Sequence, residues 1–204
     1  MIQFTQKPIR DEVVVIPLFK KGEAAAPLSD KVKKEIQKPV KLHDFAGDEG
    51  EIFLLYTEKE RVILLGFGEK EKCTDEKVRK AYGQLAKWCG KKKIKSIALI
   101  KPDEHADAAI EGLLFPKAKE LAHVHLTGKW DLKKVGELES VFKGIYLARD
   151  LINEDADSLN PQKLAKEAKK IAAGKLKVKT LTLAQIRKEK LGLVLAVGRA
   201  AEVD

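Results

Sequence analysis

Residues 13–18 read Val-Val-Val-Ile-Pro-Leu, a continuous apolar run of strand length flanked by charge. A strand that is apolar on both faces belongs in the middle of a sheet covered by helices on both sides, and Pro17 is expected to stop it there. Residues 52–56 and 61–67 read as two further strands. The four residues between them are too few for a crossover helix, so these two pair as an antiparallel hairpin. Thr74 then caps a helix through Cys89, with Val78, Ala81, Tyr82, Leu85 and Cys89 on one face and Gly90 closing it. A strand at 94–100, a helix at 104–115 broken by Pro116, and a short strand at 122–126 follow. Residues 131–153 form a long helix in which Leu138, Val141, Phe142, Ile145, Ala148 and Ile152 fall at helical spacing. The fold class is therefore α/β, a mixed sheet flanked by helices.

The last 45 or so residues are organised differently. Asn160 and Pro161 open a helix as N-cap and first-turn proline, and Gly174 stops it. A strand at 176–181, a short helix at 183–190 and a strand at 193–197 come next. Elements of this total length seldom bury enough apolar surface to offset their ordering entropy. Leu193 to Val197 is apolar on both sides, which suits a doubly covered parallel sheet whose other strands lie elsewhere.

The chain has 204 residues and 44% hydrophobic content, enough for one good core. No apolar run approaches the ~18 residues of a membrane span, and residues 1–10 lack the features of a signal peptide. Cys73 and Cys89 provide neither a disulfide framework nor a C-x-x-C metal spacing, so a cytoplasmic protein is expected. Forty Lys and Arg against 31 Asp and Glu leave a net charge of +9. The lysines cluster at Lys31, Lys33, Lys34 and Lys38, at Lys91, Lys92 and Lys93, and across 163–179. They are interleaved with glutamates and few aromatics, the pattern of a solvated surface, although DNA remains a candidate partner.

Four local patterns could carry chemistry. Gly66-Phe67-Gly68-Glu69-Lys70 follows a strand and precedes a helix, a position where backbone amides can cradle a phosphate. It lacks the remaining features of a dinucleotide fingerprint or P-loop, so a tight turn is the stronger reading. His123 and His125 share one strand face, compatible with metal ligation but without a nearby third ligand; a solvent-facing pair is the plainer expectation. Asn153, Asp155 and Asp157 copy the opening of a calcium loop, yet Ser158 and Leu164 stand where glycine and glutamate are required. Cys73, beside Lys72 and a helix start, could have a lowered thiol pKa.

The order Ala148-Arg149-Asp150-Leu151-Ile152-Asn153, then Leu159-Asn160-Pro161, then Leu195-Ala196-Val197-Gly198-Arg199-Ala200 resembles the leucyl aminopeptidase (cytosol aminopeptidase) family. Family members carry proline, asparagine and threonine where Asp155, Asp157 and Asn160 stand here, which makes this loop more acidic but preserves its capping chemistry. The resemblance implies three parts: a macro-domain-like N-terminal domain over 1–130, a linker helix and acidic loop over 131–158, and the first part of an incomplete α/β catalytic domain over 159–204. It also implies a parent metallopeptidase that assembles as a hexamer and uses two divalent metals, manganese or zinc, to remove N-terminal amino acids from peptides. The family's metal and catalytic residues lie in motifs of the type G-K-G-x-x-F-D-S-G-G and N-T-D-A-E-G-R, which this sequence lacks. No catalytic, metal or substrate residue is therefore assigned, and the chain alone is expected to be inactive, contributing to assembly and active-site access. An ADP-ribose or other nucleotide module, with Gly66 and Gly68 in its phosphate loop, and a DNA-binding accessory are the alternatives.

Overall fold

The computed structural model describes residues 2–10, 12–57, 60–117, 120–155 and 157–198. Arg199 and Ala200, the end of the last family-like segment, lie outside them. The chain divides into two compact units, Met1–Tyr146 and Leu147–Asp204.

The first unit is built on a six-stranded sheet of β1 (Gln3–Thr5), β2 (Val13–Leu18), β3 (Ile52–Tyr56), β4 (Arg61–Gly66), β5 (Ser96–Ile100) and β6 (His123–Thr127), in the order β1-β6-β5-β2-β4-β3. β2 lies in the interior of the sheet, parallel to β4 on one side and β5 on the other. β3 is the single antiparallel strand and forms the expected hairpin with β4. Side chains alternate across the sheet as the pleat requires. Val13, Val15, Ile63 and Leu65 enter one core layer, while Ile16, Leu18, Val62 and Leu64 enter the other.

Pro17 does not stop β2, which continues to Leu18. The ladder to β5 ends at Val15, so the missing amide costs no pairing there, and the Pro17 carbonyl accepts from Ala25.

Helices cover both faces. On one side lie α2 (Asp75–Lys91), α3 (Ala106–Leu114) and the first part of α4 (Leu132–Ile152). Thr74 caps α2 by accepting from the Lys77 amide. Gly90 does not close that helix but lies inside it; Lys93, at φ 55°, makes the left-handed turn instead, and Ile94 donates back to Cys89. Gly112 lets α3 approach α2 closely, because a Cβ there would sit 2.4 Å from the Arg79 carbonyl oxygen. Arg79 adds an ion pair across the same crossing, with its Nε and Nη2 on Glu111 Oε2 at 2.8 and 2.6 Å. In α4 the buried positions are Val135, Leu138, Phe142 and Tyr146, while Val141 is exposed. The Tyr146 hydroxyl donates to the Leu114 carbonyl.

The other face is closed by α1 (Asp30–Lys41), which buries Ile36 and packs Val32 and Val40 with Phe45 against the sheet. Sequence reasoning missed α1 and the three-residue strand β1.

In the second unit, Asn160 caps α5 (Pro161–Ala172) by accepting from Lys163, as expected. α6 (Leu183–Lys188) begins with a capping box between Thr182 and Gln185. The two strands expected here are not formed. Residues 176–181 are irregular, and 193–197 belong to α7 (Gly192–Gly198). A strand leaves its amides and carbonyls for a neighbour, and no strand occurs among the described residues of this unit. A helix instead satisfies its backbone locally, as in the Leu195 amide donating to the Leu191 carbonyl. Leu193 and Val197 consequently stand 86% and 85% exposed.

Candidate functional site

Sheet topology singles out one place in the first unit. From β2 the chain runs through α1 to the edge strand β3 and back to β4 on one side, then crosses through α2 to β5 on the other side of β2. In open α/β sheets such a reversal leaves a crevice beyond the carboxyl ends of the strands, where ligands bind. A cavity of about 170 Å³ lies there. Phe19, just after β2, and Phe67, just after β4, line it with rings 6.0 Å apart in an edge-to-face pair. Ala24 and Ala25 line it with small side chains, and Lys70 contributes its stem, its ammonium lying 5.9 Å from the Phe19 ring centre.

Asp103, Glu104 and His105, between β5 and α3, complete the lining. Asp103 is held through its amide, which donates to the Ala25 carbonyl at 2.9 Å. His105 adopts a left-handed conformation at φ 60°, a strained state for a residue with a Cβ, and its Nδ1 lies 2.6 Å from Asp75. It is also the N-cap of α3, so the positive end of that helix opens at the cavity. Lys70 pairs with Glu23, which raises its pKa above the ordinary lysine value, with Glu71 and Glu104 adding to the effect.

Gly66 and Gly68 border this region but have other duties. A Cβ on Gly66 would meet the Asp48 carbonyl oxygen at 2.1 Å, and Gly68 has φ +78°. The amides of Gly66, Phe67 and Gly68 donate to the carbonyls of Glu51, Leu18 and Gly47 at 2.8 to 2.9 Å. The amides of both glycines and of the phenylalanine between them are thus taken up by the fold rather than left for a phosphate. The adjacent nest of three amides, from Ala46, Gly47 and Asp48, is filled by the chain's own Glu51 carboxylate.

The other candidates fall apart from one another. His125 is not simply solvent-facing: its Nδ1 lies 2.9 Å from Glu12, and its side chain is 12% exposed. Cys73 is half-buried, and desolvation raises its thiol pKa; Lys77 opposes the rise, but Glu104, Asp75 and Glu49 reinforce it, the reverse of the lowered value expected. Asp155 accepts from the Ser158 amide at 2.7 Å, which lowers its pKa, and Lys163 pairs with Glu154 at 2.6 Å. The acidic connector is thus an arrangement of turns and caps. Several lysines of the basic clusters are paired in the same way, including Lys33 with Asp30 and Lys170 with Glu167.

Sequence reasoning missed Phe19, Asp103, Glu104 and His105. Their one signal was position directly after apolar strands, and it becomes informative only once the strand order is known.

These features define a two-unit α/β protein: a largely parallel sheet covered on both faces, with a crevice at its switch point, followed by a helical unit. Residues 15–116 match the N-terminal domain of the cytosol aminopeptidase family, residues 146–204 match that family's catalytic domain, and the chain belongs to this family. Among curated relatives, a probable cytosol aminopeptidase of Protochlamydia amoebophila is 35% identical, the match covering 98% of this chain and 46% of the relative. One of Chlamydia trachomatis serovar A is 29% identical over 97% of this chain and 46% of the relative. The chain thus spans about half the length of the curated relatives it matches. Among solved structures, a tomato leucine aminopeptidase mutant superposes with a TM-score of 0.77 at 21% identity, covering 99% of this chain and 48% of that one. The bottromycin maturation enzyme BotP gives 0.73 at 20% identity, covering 94% and 44%. At these identities the two structures speak for the fold alone.

Proposed function

We propose that this chain forms the front portion of a cytoplasmic metalloaminopeptidase and serves assembly and active-site access rather than bond cleavage. The observation that carries the reading is a coincidence of boundaries. The match to the catalytic domain begins at residue 146, and the chain divides into its two units between Tyr146 and Leu147, both within the proposed linker 131–158. Residues 1–130 are then the macro-like domain and 159–204 the opening of the catalytic part. In the whole enzyme, assembled as a hexamer, N-terminal residues would be removed from peptides with the help of two divalent metals, manganese or zinc.

Among the described residues, no three His, Cys, Asp or Glu side chains gather in a way that could hold a metal ion. These residues do not fit the two-metal centre, and no catalytic step passes through them. Nor does any helix among them have the length and apolarity to cross a membrane. The nucleotide alternative finds little support, because the cavity of about 170 Å³ falls below the ~300 Å³ at which pockets for larger ligands begin.

The test is direct. Purified residues 1–204, supplied with manganese or zinc, are expected to leave a leucine anilide intact. Metal-dependent turnover by the homogeneous chain would overturn the assignment of catalysis to other residues.

A further inference from the structure

We propose that the switch-point cavity binds a free α-amino acid of modest size, holding its carboxylate at the start of α3 and Lys70, its ammonium at Asp103 and Glu104, and its side chain against Phe19 and Phe67.

Size sets the first limit. A volume of about 170 Å³ corresponds to roughly six waters at ~30 Å³ each, which suits a compound of fewer than about ten heavy atoms and excludes a dinucleotide. Charge sets the second. Among the lining residues Lys70 is countered by Glu23, while Asp103 and Glu104 are exposed carboxylates. An anion alone, such as phosphate, would face both of these acids. A simple amine would face the ammonium of Lys70 and the positive end of α3. Among the described residues, the main-chain amides of 105–108 have no acceptor, as expected at the start of a helix without a side-chain cap. A zwitterion satisfies both sets of groups at once.

The two phenyl rings supply the third condition. Phe67 is 2% exposed and is backed by Tyr82, with ring centres 5.9 Å apart, so its position is fixed by the core. Held in place by Phe67, the partly exposed Phe19 offers an apolar face to a small aliphatic side chain without needing to rearrange. Three strand ends thus bring together an apolar wall, a cation with free amides, and two carboxylates.

Free amino acids are also what an aminopeptidase releases. A role for the cavity in sensing that product rests on the proposed function; the binding itself does not.

The experiment is an amide chemical-shift titration of the whole chain with L-leucine, repeated with leucinamide, 4-methylpentanoate and inorganic phosphate. Saturable shifts confined to Phe19, Phe67, Lys70 and residues 103–108 are expected with L-leucine. Leucinamide and 4-methylpentanoate, each lacking one charge and neither larger than leucine, should bind at least about tenfold more weakly. The double variant Asp103→Asn, Glu104→Gln should lose L-leucine binding by a similar factor while its thermal midpoint stays unchanged, since both side chains are exposed. Absence of saturable binding by L-leucine, equal binding of either analogue, or complete competition by phosphate would each overturn the proposal. Because none of these readouts measures peptide hydrolysis, its failure and that of the aminopeptidase reading are distinguishable.

Discussion

Replacing Gly112 with alanine should destabilise the first unit, although alanine is the better helix former. The Cβ would lie 2.4 Å from the Arg79 carbonyl oxygen and 2.8 Å from the Tyr82 Cβ, both on α2. Neither atom can rotate away, so the two helices must separate. Overpacking of this kind costs ~1 to 3 kcal/mol, and contact with backbone places it near the upper end. The helix-propensity gain of ~1 kcal/mol offsets part, leaving a net loss of about 2 kcal/mol. For a unit of this size that lowers the melting midpoint by roughly 4 to 8 °C. Gly144 in α4 is the control, because nothing lies within 4 Å of the added methyl. Gly144→Ala should raise the midpoint by roughly 1 to 4 °C. Both tryptophans, Trp88 and Trp130, lie in the first unit, so tryptophan fluorescence during thermal unfolding reports on it alone. A Gly112→Ala chain that melts at or above the parent would refute the close-contact reasoning.

The cysteines should differ sharply in reactivity. Burial pushes the Cys89 thiol up to about 12, so a disulfide reagent should modify half-buried Cys73 slowly in the native chain and reach Cys89 only on unfolding. The stability linked to Cys89 is fully present below its unfolded value near 9.0 and is lost as pH rises toward about 12, where only the unfolded thiol ionises. Denaturant titrations between pH 8 and 11 should therefore show falling stability, and a flat profile would contradict the burial of this thiol. At the α2–α3 crossing, a double-mutant cycle on Arg79 and Glu111 should give a coupling of about 0.5 to 1 kcal/mol, modest because both groups remain partly exposed. No measurable coupling would mean that the pair does not persist in solution.

The two-sided core was legible because β2 and β4 are apolar at nearly every position, which only a doubly covered strand tolerates. The β3–β4 hairpin was legible from the length of its connection. α1 was not, because Lys31, Lys33, Lys34, Lys38 and Lys41 with Pro39 obscured the spacing of Val32, Ile36 and Val40 that faces the core. Residues 175–179 alternate lysine with apolar residues as a strand would, yet alternation describes only a face, and a strand also needs a neighbour. The cavity was least legible. Its residues come from three segments spread between Phe19 and His105, and only the order of β5, β2 and β4 brings them to one end of the sheet.

β1 is the earliest strand in the chain, and its partner β6 lies 120 residues later, from the pairing of Gln3 with His123. During synthesis at ~5 to 20 residues per second, β1 waits roughly 6 to 24 seconds for the strand it joins. A central strand kept waiting so long would leave the sheet open, but β1 sits at the edge, where the other five strands can assemble without it. This topology allows long-range closure to come last, with the N-terminal residues completing a sheet already formed by the other strands.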